Sequence, residues 1–173
     1  MAIRGIEHIG ITVSNIEQAE TFFIKALDAS VLYRMVPWQK EGMDIPGEQM
    51  RPLNGLPPQL RVAGLSMLRL ANGCNIELFQ LDPGIADDLA NIGQPGINHF
   101  SLYVDDIEQT AEKLKAHGAR FYEGPSDCIA QEEGVGNQTW FCLAPFGVLI
   151  ELISLPSALH YDADATNTRW LPG

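Results

Sequence analysis

The sequence predicts an α+β chain built twice from one strand–helix–strand–strand–strand module. Three observations predict it. The run from Glu7 to Gln18 (EHIGITVSNIEQ) recurs from Asn98 to Gln109 (NHFSLYVDDIEQ), at an offset of 91 residues, His8 against His99. The run from Leu70 to Phe79 (LANGCNIELF) recurs from Leu143 to Ile153 (LAPFGVLIELI) with one extra residue in its turn. Each first run carries a helix-start signal directly after alternating apolar residues. Repetition of this kind organises the whole chain, so it is read before any single element.

The elements follow in order. Ile9, Ile11 and Val13 alternate with His8, Gly10 and Thr12, as in a half-buried strand. Phe100, Leu102 and Val104 alternate with His99, Ser101 and Tyr103 in the second copy. Ser14 with Glu17, and Asp105 with Glu108, have the spacing of a capping box. An apolar stripe then runs through Ile16, Ala19, Phe22, Phe23, Ala26 and Leu27, and another through Ile107, Ala111 and Leu114. Gly118 stands where the second helix would stop. Second strands are expected near 31–35 and 119–123, and third strands near 65–70 and 139–143. The last strand of each module ends a Gly-x-x-x-Glu turn, Gly73 to Glu77 and Gly147 to Glu151. Within it the Glu faces away from Ile76 and Leu78, or from Ile150 and Leu152.

The expected organisation is a first module over 1–81, a linker over 82–96, a second module over 97–155 and a polar tail over 156–173. An insertion over 37–60 interrupts the first module and holds five of the eleven prolines. A loop of that length is expected to cover the mouth of a pocket.

Composition narrows the function. Eleven Lys and Arg against 22 Asp and Glu give a net charge of −11. Nucleic acid and anionic membrane surfaces both need a basic face, so neither partner is expected. No apolar run reaches the roughly 18 residues of a membrane span, and the N-terminus lacks a signal-peptide core. Three cysteines without CxxC spacing suit buried thiols in a reducing cytoplasm better than disulfides or a thiolate zinc site.

Four residues occupy matched places: His8 and His99 on the first strands, Glu77 and Glu151 on the last. Two imidazoles and two carboxylates suit one divalent ion: Zn, Ni, Co, Mn or Fe. A lone strand His is usually structural. The same pair of polar residues, on the same face in both copies, is harder to explain without a ligand. Other candidates fit bland roles. Arg61 and Arg120 suit solvated surface positions, His117 a helix end, and His160 and Tyr161 the tail. Trp38, Trp140 and Trp170 suit packing.

On the repeated modules, the EHIGITV start and the strand endings NIELF and LIELI, the chain resembles the vicinal oxygen chelate superfamily. That superfamily holds glyoxalase I, the extradiol dioxygenases, methylmalonyl-CoA epimerase and the bleomycin-resistance proteins. The resemblance covers about residues 3–155. It implies paired βαβββ modules forming an open eight-stranded mixed β-barrel with flanking helices and the metal inside. His8, Glu77, His99 and Glu151 fall on the family's metal positions, and the full set resembles glyoxalase I. The epimerases usually carry Gln where Glu77 stands. Extradiol enzymes use three ligands and tend to place a Tyr on the strand where this chain has Thr139, Trp140 and Phe141.

The resemblance implies a lyase or isomerase of the glyoxalase I kind, acting on a small oxygenated substrate through a metal-stabilised enediolate. Glu151, with Glu77 second, is the expected base. Four protein ligands on an octahedral ion leave two positions for a bidentate substrate and none for O₂. An Fe(II) extradiol dioxygenase is the alternative, and a metal-free, ligand-sequestering resistance protein the third. Pairing of two copies is expected from the family's habit.

Overall fold

The structure is a computed structural model that describes residues 6–84, 97–163 and 165–172. The linker expected at 82–96 lies outside these residues except at its start. The chain divides into two compact units, Met1–Asp88 and Leu89–Gly173.

The first unit contains β1 (His8–Val13), α1 (Ile16–Leu27), β2 (Ser30–Val36), β3 (Ile45–Pro46), α2 (Gly47–Asn54), β4 (Arg61–Arg69) and β5 (Asn75–Asp82). Its sheet runs β1-β5-β4-β2, with β3 added along β4. Strands β1 and β5 are parallel, His8 opposite Asn75 and Gly10 opposite Glu77. The other pairs are antiparallel. Helix α1 buries Ile16, Ala19, Phe22, Phe23 and Ala26, the residues its periodicity marks. Ile11, Val13, Leu68, Ile76 and Leu78 are buried on the strands. Fully burying each such side chain contributes about 1.5–3 kcal/mol.

The second unit repeats the plan with β6 (His99–Tyr103), α3 (Ile107–Ala116), β7 (Arg120–Phe121), β8 (Ser126–Asp127), a 3₁₀ turn (Ala130–Glu132), β9 (Gln138–Leu143) and β10 (Leu149–Ser154). Its order is β6-β10-β9-β7, with β8 added along β9. The α+β class is as expected, with two mixed sheets and three α-helices among the described residues. Strand pairing builds two five-stranded sheets. Among the described residues no pairing joins them into the single eight-stranded barrel that the resemblance implied.

Two local expectations shift. The helix caps lie one residue later than Ser14 and Asp105. Asn15 accepts from Gln18 N at 2.9 Å, and Asp106 accepts from Gln109 N at 2.8 Å. The buried Ile16 and Ile107 are the first helical residues, so the cap must directly precede them. Helix α3 stops as expected. His117 closes it, Gly118 follows at φ +92°, and Ala119 N donates to Leu114 O at 3.0 Å.

The insertion is also more than a loop. It holds β3 and the two-turn α2, and its Ile45, Met50, Leu56 and Leu60 pack on a buried cluster of Val36, Val62, Leu65 and Leu81. Gly47 opens α2 at a close approach. Its N–H donates to Leu60 O at 2.7 Å, and a Cβ there would lie 2.3 Å from both Leu60 O and Pro57 O. The second unit has a smaller counterpart in the same place, β8 and the 3₁₀ turn. The inserted segment is thus longer in one unit rather than confined to it.

Candidate metal centre

Each sheet turns one face to its helix and carries its His and Glu on the other. In the first unit His8 opens β1, and Glu77 lies on β5 opposite Gly10. His8 Nε2 faces Glu77 Oε2 at 3.5 Å. In the second unit His99 opens β6, and Glu151 lies on β10 opposite Ser101. His99 Nε2 faces Glu151 Oε2 at 3.7 Å. Both carboxylates are largely covered, at 18% and 15% exposure, and both imidazoles stay partly open, at 41% and 33%.

The other ring nitrogen is occupied in the same way in both units. His8 Nδ1 donates to Glu7 Oε2 at 2.5 Å, and His99 Nδ1 donates to Asn98 Oδ1 at 2.6 Å. An acceptor at Nδ1 fixes the proton there and leaves the Nε2 lone pair facing the carboxylate. Metal-binding histidines are held in this manner. Asn75 extends the first arrangement by donating to Glu7 Oε1 at 2.6 Å. In the second unit the Thr139 hydroxyl donates to Glu151 Oε1 at 2.6 Å.

Electrostatics agree with this wiring. The hydrogen bond from His8, and then that from Asn75, hold the Glu7 carboxyl below its ordinary range. The Glu7 hydrogen bond raises His8, and the charge of Glu77 adds to it. A cation beside Nε2 would take the place that a second proton on this ring otherwise fills.

The donor set fits a divalent ion. Bonds to imidazole N and carboxylate O of about 2.1 Å put two donors on one ion roughly 3.0–3.4 Å apart. The observed separations lie just above that range and are long for a direct hydrogen bond. The structure brings the four predicted residues together as two pairs. Among the described residues no group of three or more His, Cys, Asp or Glu is gathered as metal ligands would be.

Glu7, Asn98 and Thr139 hydrogen-bond to the predicted residues, and Asn75 to Glu7; sequence reasoning passed over all four. Glu7 and Asn98 had a signal, since each directly precedes the repeated His. Thr139 had none, because the first unit offers no hydroxyl in its place.

A cavity of about 410 Å³ in the second unit is lined by Tyr122, Glu123, Ser126, Thr139, Trp140, Phe141 and Leu149. That volume suits a small ligand. Thr139 links the cavity to Glu151, and the Phe141 ring stands edge-on to His99 with centroids 5.4 Å apart. The remaining candidates keep structural roles. His117 Nδ1 meets Lys113 O at 2.8 Å and Arg61 pairs with Asp82 and Asp44, but Trp170, expected to pack, is 72% exposed. His160 and Tyr161 line a separate cleft with Arg169, whose amide donates to the Tyr161 hydroxyl at 3.1 Å. No helix among the described residues is long and apolar enough to cross a membrane. Cys74, Cys128 and Cys142 are all free, and burial pushes the Cys142 thiol up to about 12.

Comparison with known proteins adds four findings. A family model described as the Glyoxalase/Bleomycin resistance protein/Dioxygenase superfamily matches residues 7–136. A 2-epi-5-epi-valiolone epimerase from an Actinomyces species is 25% identical over 163 residues, covering 91% of this chain and 82% of that protein. Among solved structures, a glyoxalase family protein from Bacillus cereus superposes with a TM-score of 0.68 at 20% identity, over 89% of this chain and 95% of that one. A fosfomycin resistance protein from Listeria monocytogenes, solved with Mn(II) and sulfate, superposes with a TM-score of 0.55 at 14% identity, over 88% and 91%.

Proposed function

Since the chain belongs to the glyoxalase/bleomycin resistance protein/dioxygenase superfamily, we propose that it is a divalent-metal enzyme of the isomerase or lyase kind. Its reaction moves a proton at the carbon beside a carbonyl of a small, uncharged oxygenated substrate. One observation carries the reading: the same pair occurs twice, an imidazole Nε2 facing a carboxylate oxygen, with Nδ1 tied to the preceding residue. Duplicated solvation or duplicated packing does not call for that wiring.

In this reading His8, Glu77, His99 and Glu151 hold the ion, from one chain or from two copies of it. A divalent cation bound there supplies Lewis acidity toward vicinal substrate oxygens. Glu151 takes the proton from carbon, and Glu77 is the second carboxylate able to hold or return it. Tyr122, Phe141 and Leu149 exclude water from the apolar body of the substrate, while the hydroxyls of Ser126 and Thr139 meet its oxygens.

Substrate class follows from the same cavity. Among the described residues Glu123 is the charged one that lines it, and no described Lys or Arg does. Aromatic walls, hydroxyls and one carboxylate suit a neutral polyhydroxylated ring better than a phosphonate or a thiol conjugate. The relative named a 2-epi-5-epi-valiolone epimerase favours epimerisation over glyoxalase-type lyase chemistry.

Metal analysis and hydrogen exchange test the proposal together. Protein purified without chelator is expected to carry a divalent ion, and His8→Ala and His99→Ala each to weaken its binding at least ~100-fold, as loss of a direct ligand does. Incubated without oxygen, a neutral polyhydroxylated cyclohexanone is expected to take up solvent deuterium beside its carbonyl. The exchange should vanish in Glu151→Gln with metal retained. Turnover that requires O₂ and shows no exchange would establish the dioxygenase instead. Tight ligand binding without metal would establish sequestration.

A further inference from the structure

The two carboxylates of the candidate centre are held differently. Glu151 lies opposite Phe141 on β9, and Thr139, two residues along the same face, donates its hydroxyl to Glu151 Oε1 at 2.6 Å. That hydrogen bond occupies one carboxylate oxygen and leaves Oε2 turned to His99 Nε2. Glu77 lies opposite Met67 on β4, and the residue two places along that face, opposite Phe79, is Leu65. Leu65 has no hydroxyl and is buried in the apolar cluster under the insertion. Among the described residues, His8 is the donor-bearing side chain that faces the Glu77 carboxylate. The repeat therefore conserves the ligands and drops the hydroxyl from one half.

From this, and resting on the metal reading above, we infer that Thr139 is a positioning residue. Its hydroxyl makes Glu151 a fixed ligand that offers a single oxygen to the ion, while Glu77 is the adaptable carboxylate of the pair. A short hydrogen bond to an ionised acceptor is among the stronger ones. It limits rotation of the carboxylate and disfavours capture of the ion by both oxygens. The same contact joins the metal centre to the cavity, because Thr139 lines it.

Mn(II) alone, followed by electron paramagnetic resonance, and Co(II) alone, followed by its visible absorption, test the inference on the full chain without substrate. Thr139→Val keeps shape and strand preference but removes the donor. It is expected to bind Mn(II) about 10–100-fold more weakly, the usual cost of losing a group that orients a ligand. Its Co(II) spectrum is expected to shift as Glu151 is released to bind through both oxygens. Thr139→Ser restores the donor and should recover both readings to within about threefold. Thermal unfolding of the metal-free variants guards against a folding artefact and should match wild type within a few degrees. A Thr139→Val protein with wild-type affinity and an unchanged Co(II) spectrum would overturn the inference. So would a Thr139→Ser protein that fails to recover them. Wild type that takes up neither ion sinks the metal reading and this inference with it, whereas the first two results leave the metal reading standing.

Discussion

The two units agree on the sheet face that bears His and Glu and differ on the face under the helix. Beneath α1 the first unit buries a charge. Glu20 is 3% exposed and accepts from Arg34 through Nε at 2.9 and 3.1 Å and through Nη2 at 2.5 Å. The carboxylate holds the Arg34 proton still more firmly than usual. At the repeat offset, Glu20 corresponds to Ala111, which is wholly buried. Beside α3 the second unit uses aromatic packing, with Phe121 and Trp140 edge to face at 4.8 Å and the Lys115 ammonium 4.6 Å from the Trp140 ring. A core face needs only to be filled and satisfied, and an ion pair or an aromatic pair can both do that. The open face carries the same His and Glu pair in both units, His8 with Glu77 and His99 with Glu151.

The largest expected effect comes from breaking the charged solution. Arg34→Ala leaves Glu20 buried without its partner and should cost about 3–5 kcal/mol in urea unfolding. Phe121→Ala, on the half-buried edge of the second unit, should cost about 1–2 kcal/mol. Replacing both charges together, Glu20→Leu with Arg34→Met, should return stability to within about 1 kcal/mol of wild type, because the buried charge goes with its partner. If Arg34→Ala costs no more than Phe121→Ala, the contrast between the two undersides is not energetic.

A second contrast concerns what covers the far end of the open face. In the first unit the insertion does it, through Ile45, Met50, Leu56 and Leu60. In the second the tail does it. Leu159 and Leu171 pack with Tyr103 on a cluster of Cys128, Ile153 and Leu155. Asn137, fully buried, fastens that tail: its amide donates to Glu132 O at 2.9 Å and Ser157 O at 3.3 Å, and its oxygen accepts from Ser157 N at 2.8 Å. Asn137→Ala leaves these backbone groups unpaired and should cost about 1–3 kcal/mol. Hydrogen exchange at the Ser157 amide should rise with it, while amides of the insertion stay as protected as before. Equal acceleration in both places would mean that the tail is not a local fastening.

What the sequence made legible tracks how directly each feature maps onto a periodic pattern. The two strand faces of β1 and β6 followed from period-two alternation, and His8, Glu77, His99 and Glu151 followed from the repeat. Helix α2 was hidden, because its eight residues include Pro52 and carry no apolar stripe; flanking Ile45, Leu56 and Leu60 anchor it from outside. Glu20 was hidden for the opposite reason. It sits inside a clear apolar stripe, and only the fold brings Arg34, on β2, to meet it. Thr139 reaches Glu151 as a diagonal neighbour across two strands, a relation that no linear spacing encodes. The helix starts were legible to within one residue, and that residue can be tested.

The smallest expected effect separates the two registers for those starts. The sequence marks Ser14 with Glu17 and Asp105 with Glu108, whereas the structure caps the helices at Asn15 and Asp106. Side-chain oxygens of Asn15 and Asp106 accept from the N–H three residues on, so they satisfy a helix donor that otherwise has no partner. Asn15→Ala and Asp106→Ala should each cost about 1 kcal/mol, a loss of roughly 2–4 °C in melting temperature for a chain of this size. Ser14→Ala and Asp105→Ala, one residue outside the cap, should change stability by less than about 0.5 kcal/mol. The two units should also differ in how far the damage spreads. Helix α1 buries six residues over three turns, whereas α3 buries only Ile107, Ala111 and Leu114. Loss of the Asp106 cap should therefore fray the first turn of α3, seen as faster exchange at Gln109 and Thr110. Loss of the Asn15 cap should leave the amides of α1 beyond Ala19 protected by packing. A cost that falls on Ser14 and Asp105 instead would place both helices one residue earlier and put Ile16 and Ile107 at their second helical position.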